Sequence, residues 1–331
     1  MYKHLLKLSI VLVLIVVILG TYTRLSDAGL SCPDWPGCYG QLTVPSAPDG
    51  TKIEGYDRPL EVSKGYKEMV HRYAASILGL VILLLWWQAF KQKPIYRQSM
   101  PLPTFAVFFV ILQGAFGMWT VTLLVHPGIV TLHLLGGFVT TSVLFWLFLN
   151  QKILARAPVR IDSSNKILLL VVLTVLIFQI TLGGWTSTHY AALSCGEQFP
   201  ACLGTYWPDM DLSKAFYWGP LGVDYEYGVL EGPARVGIQM MHRIGALTTA
   251  VLMLLFVYRF RHYAHLKSSL LVTGGLLALQ VTLGILNVLL SLPMIIAVLH
   301  NVVALLLLLS VLNIIHKVFK NQTQTSSGCL S

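Results

Sequence analysis

Eight stretches of this sequence stay apolar for about twenty residues, at about 5–24, 69–90, 104–125, 129–149, 167–187, 239–258, 270–290 and 294–316. A helix needs about 20 such residues to cross the roughly 30 Å hydrocarbon core of a bilayer. Inside lipid the backbone must satisfy its own hydrogen bonds, which a helix does within one segment. The fold class that follows is an all-α integral membrane protein with eight transmembrane helices. Composition agrees, since 55% of the 331 residues are hydrophobic, 11% are charged and the mean hydropathy is +0.70, outside the range of soluble domains. Lys3 and Lys7 precede the first apolar run as they would in a secretory signal. That run is long, however, and no small-residue cleavage site follows, so it reads as a retained helix.

The formal net charge of +9 invites a nucleic-acid reading, which its distribution excludes. Lys91, Lys93 and Arg97 fall in one short connection, Lys152, Arg156, Arg160 and Lys166 in another, Arg259, Arg261 and Lys267 in a third, with Lys317 and Lys320 near the end. These segments alternate with the helices so as to share one side with the amino terminus. The positive-inside rule then places both termini in the cytoplasm. The expected surroundings are membrane lipid, and no nucleic acid.

Two long outer loops remain, about 25–67 and 188–238. The first carries Cys32-Pro-Asp-Trp-Pro-Gly-Cys38 and the second Cys195-Gly-Glu-Gln-Phe-Pro-Ala-Cys202. Both pairs face the oxidising compartment, where a disulfide within each pair is expected. Their spacing is not the Cys-x-x-Cys of zinc or thioredoxin-like sites, which leaves structural staples and redox-active pairs as the two readings. Cys329 stands alone in a polar tail, 321–331.

The loops belong to a repeat that runs through the chain. Leu30-Ser31-Cys32 matches Leu193-Ser194-Cys195, Met69-Val-His71-Arg72 matches Met240-Met-His242-Arg243, Gln113 and Gly117 match Gln280 and Gly284, and Leu132-His133 matches Leu299-His300. Four helices per copy is an even number, so the copies share one orientation and are related by an axis along the membrane normal. The expected architecture is two pseudo-twofold-related four-helix bundles, spanning 1–150 and 151–320. Short connections make hairpins of helices three and four and of seven and eight.

Four of the ten histidines form repeat-matched pairs. His71 and His133 lie near the outer ends of helices two and four, and His242 and His300 hold the matching places on six and eight. A lone intramembrane histidine is commonly a hydrogen-bonded core residue. Two on different helices of one bundle, at one depth, and repeated in a second bundle, point instead to a haem iron held between imidazoles. Zinc would ask for further Cys, His or carboxylate ligands, and the sequence offers no closed set. Arg72 and Arg243 read either as partners of haem propionates or as ordinary interfacial arginines. Gly114, Gly117, Gly136 and Gly137, with Gly274, Gly275 and Gly284, allow close approach of helices or of a flat macrocycle. His126 and His189 have no repeat partner and read as loop residues. His4, His262, His265 and His316 read as part of the basic cytoplasmic side.

The copies differ three residues before the first histidine. Residues i and i+3 share a helix face, so Glu68 points where His71 points, while Gln239 takes that place beside His242. An intramembrane carboxylate is a functional candidate, and a first-turn glutamate favoured by the helix dipole is the plainer alternative. The asymmetry favours chemistry in the first half.

Taken together, Gly20-Thr-Tyr-Thr-Arg-Leu-Ser-Asp-Ala-Gly-Leu-Ser-Cys-Pro-Asp-Trp-Pro-Gly-Cys38, Glu68-x-x-His71-Arg72 and the three later histidines resemble the haem A synthase family over nearly the whole chain. The resemblance implies an eight-helix membrane enzyme of two four-helix halves, which oxidises the C8 methyl group of haem O to a formyl group by successive hydroxylations and loss of water. It implies that His71 and His133 hold the substrate haem O, that His242 and His300 hold a haem b cofactor, and that Glu68 is the catalytic carboxylate. Cys32 and Cys38 match a cysteine pair carried by part of the family. Haem O synthase, the assembly of cytochrome oxidase and an external electron-transfer partner are the associations implied. The expected setting is a bacterial plasma membrane, with the haem sites toward the periplasmic side, because no mitochondrial targeting extension precedes the first helix. A di-haem electron carrier of cytochrome b type would use the same histidines but requires neither Glu68 nor the cysteine loops. A membrane thiol oxidoreductase would use the cysteines and leave the histidines unexplained.

Overall fold

The computed structural model describes residues 1–91, 99–151 and 161–326, with side chains as far as 319. Lys93, Arg97, Lys152, Arg156, Arg160 and Cys329, and the side chain of Lys320, lie outside the described residues.

Eight helices are long and apolar enough to cross a membrane. They are α1 (Tyr2–Leu25), α2 (Val62–Lys91), α3 (Pro101–Thr122), α4 (Pro127–Asn150), α5 (Ser163–Thr188), α6 (Gly232–Phe260), α7 (Lys267–Leu289) and α8 (Met294–Ser326). Proline opens α3, α4 and α6, where its missing N–H would have had no partner in any case. The α3–α4 and α7–α8 connections are tight and alike. Leu124 and Val125 have φ of 52° and 49°, Ser291 and Leu292 have 57° and 59°, and Val125 N donates to Thr120 O as Leu292 N does to Asn287 O. Four non-glycine residues held in the left-handed region, in matched pairs, show the repeat in the backbone itself.

Two helices begin earlier than their apolar runs. α2 starts at Val62 rather than near 69, with its first N–H donated to Asp49 Oδ1 at 2.6 Å, and α6 starts at Gly232 rather than near 239. The long loops therefore run 26–61 and 189–231. Hydropathy missed these turns because those of α2 carry Ser63, Lys64, Lys67 and Glu68, and those of α6 are interrupted by Pro233, Arg235 and two glycines. Glu68 is consequently the seventh residue of α2, counting from Val62, and not a first-turn residue, which removes the helix-dipole explanation for it.

In the first half of the chain α1 packs on α2 and α4, and α3 on α2 and α4. In the second, α5 packs on α6 and α8, and α7 on α6 and α8. Leu6, Ile82, Leu85, Leu144 and Leu147 form the core of the first set, and Leu169, Val172, Phe256, Leu305 and Ile314 that of the second. Leu80, Phe108, Ile111, Leu247, Leu271 and Ile295 are exposed, as side chains facing lipid should be. Across the middle α4 meets α5 and α8, and α1 meets α8.

Arg24, at the end of α1, ties the two sets together on the side of the long loops. Its guanidinium donates to Ser187 O at 2.6 Å and Tyr190 Oη at 3.0 Å, and lies 4.3 Å from the centre of the Tyr190 ring. The second long loop adds to the tie: Tyr225 N donates to Leu124 O, and Arg58 of the first loop pairs with Asp224 and Glu226. Hydrogen bonds from a charged donor contribute about 1.5–3 kcal/mol, so Arg24→Ala should cost about 2–3 kcal/mol. The expected result is a lower thermal unfolding midpoint in detergent, only partly restored by Arg24→Lys, whose ammonium lacks the planar fork. An unchanged midpoint would mean that the tie is not structural.

Candidate functional site

Each long loop folds back over the helix that follows it. Cys32 and Cys38 form one disulfide, and Cys195 and Cys202 the other. All four cysteines are buried, the first pair against Met69 and the second against Met240, which are repeat-matched. The turns after the cystines also match. Cys38 bridges to Gln41 and Cys202 to Thr205, and a side-chain acceptor, Asp34 or Gln198, takes the N–H of Gly40 or Gly204 at 2.8 and 2.7 Å.

The two arginines grip these loops. Arg72 donates to the carbonyls of Cys32, Asp34, Pro36 and Gly37, and Arg243 to those of Gln198, Pro200 and Ala201. A helix residue thus holds the loop through several backbone acceptors at once, a task suited to the forked guanidinium. Beneath the loops the halves diverge. Glu68, only 3% exposed, accepts from Cys32 N at 2.9 Å and forms an ion pair with Arg72. Gln239 is equally buried, but its Oε1 has no hydrogen-bond partner, and neither has Arg243 Nε. The first loop is therefore locked to α2 by a carboxylate that the second lacks.

One turn further down lie the matched histidines. His71 and His133 are close enough to interact electrostatically, and so are His242 and His300. Each imidazole rests on a glycine of a neighbouring helix. A Cβ built on Gly20 would stand 2.8 Å from His71 Cε1, one on Gly117 3.4 Å from His133 Cε1, one on Gly183 3.3 Å from His242 Cε1, and one on Gly284 3.0 Å from His300 Cε1. Gly20 and Gly183 are themselves repeat-matched, as are Gly117 and Gly284. Close approach thus has a use at Gly117 and Gly284, while a Cβ on Gly114, Gly274 or Gly275 would meet nothing within 4 Å. Each of the four histidines is intermediate in exposure.

Glutamines complete the arrangement. Gln113 Nε2 lies 3.1 Å from His133 Nδ1, Gln179 Nε2 3.0 Å from His242 Nδ1, and Gln280 Nε2 3.2 Å from His300 Nε2. In the sequence Gln113 and Gln280 stand out only as repeat markers and Gly20 only as the start of a motif, while Gly183 and Gln179 do not stand out at all. The spacing of Gly20 and Gly183, the same as that of Cys32 and Cys195, was the signal available.

His126 and His189 are not ordinary loop residues. They are 0% and 2% exposed, packed with Trp185, Trp218 and Tyr225 between the two halves. Burial, then the neighbouring His126 and Arg24, pushes the His189 pKa down to about 4, so this ring is neutral at physiological pH. His316 is also buried, its Nε2 3.0 Å from Asn150 Oδ1 and its ring against Trp146.

The family described as COX15-CtaA, cytochrome oxidase assembly protein, matches residues 3–312, which takes in both cystine loops and all four histidines. The chain belongs to this family. Among its relatives, the haem A synthase of Shewanella oneidensis is 44% identical over 294 residues, covering 86% of this chain and 87% of that protein. The haem A synthase of Wolbachia pipientis subsp. Culex pipiens is 28% identical over 299 residues, covering 84% and 86%. That of Alkalihalophilus pseudofirmus is 27% identical over 274 residues, covering 79% and 80%.

The COX15-CtaA loops make a differential prediction. Removing Arg72 strands a buried carboxylate, which typically costs about 3–5 kcal/mol. Removing Arg243 strands only carbonyls. Arg72→Ala should therefore lower the thermal unfolding midpoint more than Arg243→Ala, and should open the first long loop to protease. Equal losses would contradict the carboxylate lock.

Proposed function

We propose that this chain oxidises the C8 methyl group of haem O to the formyl group of haem A, supplying the haem for cytochrome oxidase assembly. The observation that carries the reading is the paired geometry: two imidazole pairs, each within one half of the chain, with each ring resting on a glycine. That donor set would suit a porphyrin iron. Among the described residues no group of three or more His, Cys, Asp or Glu is arranged around a bare metal ion.

In this reading residues 1–150 and 151–320 are two four-helix bundles about a pseudo-twofold axis along the membrane normal, with 321–331 as a tail. Both termini are cytoplasmic, and the sites lie toward the periplasmic side of a bacterial inner membrane. His71 and His133 hold substrate haem O. His242 and His300 hold haem b, which when bound supplies one-electron transfer. Arg72 and Arg243 secure the cystine loops that cover the sites, and the unpaired Nε of Arg243 is a donor suited to a propionate. The two disulfides act as staples of these covers. Haem O arrives from its synthase, and an external partner exchanges electrons with the protein.

Glu68 is the residue proposed for catalysis. Held by Arg72 and by Cys32 N–H, and on the helix face of His71, its carboxylate is fixed beside the substrate position. There it accepts a proton or stabilises positive charge that develops on the substrate while the methyl group undergoes two hydroxylations and loss of water. Gln239 indicates that an amide is tolerated at this point of the fold, so Glu68→Gln is a fair test. Haem A formation in cells should fall by about 100-fold or more, the usual scale for loss of a proton-transfer group, with bound haem retained. Full haem A production by that variant would sink the assignment.

A further inference from the structure

The two imidazole pairs differ in how their rings are held. Three of the four rings meet a glutamine amide, and two of those amides are themselves fixed. Gln113 Nε2 also donates to His133 O at 2.6 Å, and Gln179 Nε2 to His242 O at 3.0 Å. Both amides fit because the opposing helix has glycine. A Cβ on Gly136 would fall 2.0 Å from Gln113 Oε1, and one on Gly245 2.2 Å from Gln179 Oε1. A primary amide offers donor and acceptor together, so it pairs with either imidazole tautomer.

His71 has no such latch. The residue that matches Gln179, at the offset that relates Gly20 to Gly183, is Val16, and the residue that matches Gly245, at the offset that relates His71 to His242, is Ala74. Both halves of the latch are thus replaced together, the amide by an apolar side chain and the glycine by a residue with a Cβ. The polar neighbour of the ring is the Val16 backbone carbonyl, and His71 Nδ1 has no hydrogen bond. Partners of this kind orient metal-bound imidazoles and strengthen their grip.

We infer that the Val16/Ala74 and Gln179/Gly245 pairs decide which site releases its porphyrin. Gln179 is a positioning residue that locks His242 and retains a resident cofactor. Val16 offers His71 only its backbone carbonyl, so the ring is held less firmly and the first site admits a porphyrin and gives it up. This rests on the haem reading above: a substrate must exchange at every turnover, and a cofactor must not.

The test is haem release from the purified full-length protein loaded with haemin, captured by excess apomyoglobin and followed in the Soret band. The unmodified protein should release haemin in a fast and a slow phase. Val16→Gln with Ala74→Gly should slow the fast phase by about tenfold, the equivalent of roughly one net hydrogen bond, and leave the slow phase unchanged. Gln179→Val with Gly245→Ala should speed the slow phase by a similar factor. Gln179→Met, which keeps the volume and removes the amide, should do the same and decides the matter if a double variant does not fold. Rates unmoved by Gln179→Met, or both phases moving together as general loosening would cause, overturn the inference while leaving the haem reading intact. An unmodified protein that binds no haemin overturns both.

Discussion

Everything at the centre of this molecule depends on imidazole rings packed against helices that lack a side chain at the point of contact. Lipid supplies no hydrophobic drive for helices to associate, so their contacts rest on close packing and polar pairing. A histidine between two helices needs both room and a partner. The four glycines at 20, 117, 183 and 284 supply the room, with a built Cβ falling 2.8 to 3.4 Å from a ring carbon. At Gly20, where the approach is closest, even a methyl group would force the His71 ring to move. The helix order, the tight α3–α4 and α7–α8 turns and the cystine covers serve to bring these contacts to one level.

Duplication accounts for the sameness, and a few departures from it account for the division of labour. Both covers are stapled by a disulfide and gripped by an arginine, but only the first is locked by a carboxylate, Glu68 against Cys32 N–H and Arg72. Both halves have a ring pair, but only the second has an amide on its α6 histidine. The two asymmetries reinforce each other in the proposed reaction. The half with the ionisable group is also the half whose ligand is loosely held, as a site that reacts and then discharges its contents should be. The half with Gln239 and Gln179 is the quieter one, suited to a cofactor that stays and passes electrons.

Much of this could be read from residue patterns. Hydropathy gave the eight spans because lipid imposes a length on every crossing, and the repeat exposed the histidine pairs because the Met-x-His-Arg and Leu-His dipeptide contexts survive in both copies. First turns broken by charged residues, proline or glycine were invisible to hydropathy, so α2 and α6 begin about seven residues before their apolar runs and Glu68 was set too close to a helix end. Gly20 and Gln179 sit in runs of ordinary apolar sequence, where a contact made across helices leaves no local mark. The burial of His126 and His189 came from a loop that folds across both halves, a long-range event with no periodic signature. The arginines were legible as matched, but their grip on loop carbonyls required the loop's path.

Chemical identification of the porphyrins extracted from the purified protein tests the central assignment most directly. Chromatography and mass measurement should find haem b together with haem O, its hydroxylated form or haem A. Haem b alone, from membranes that are making haem A, would contradict it and leave a di-haem electron carrier in its place.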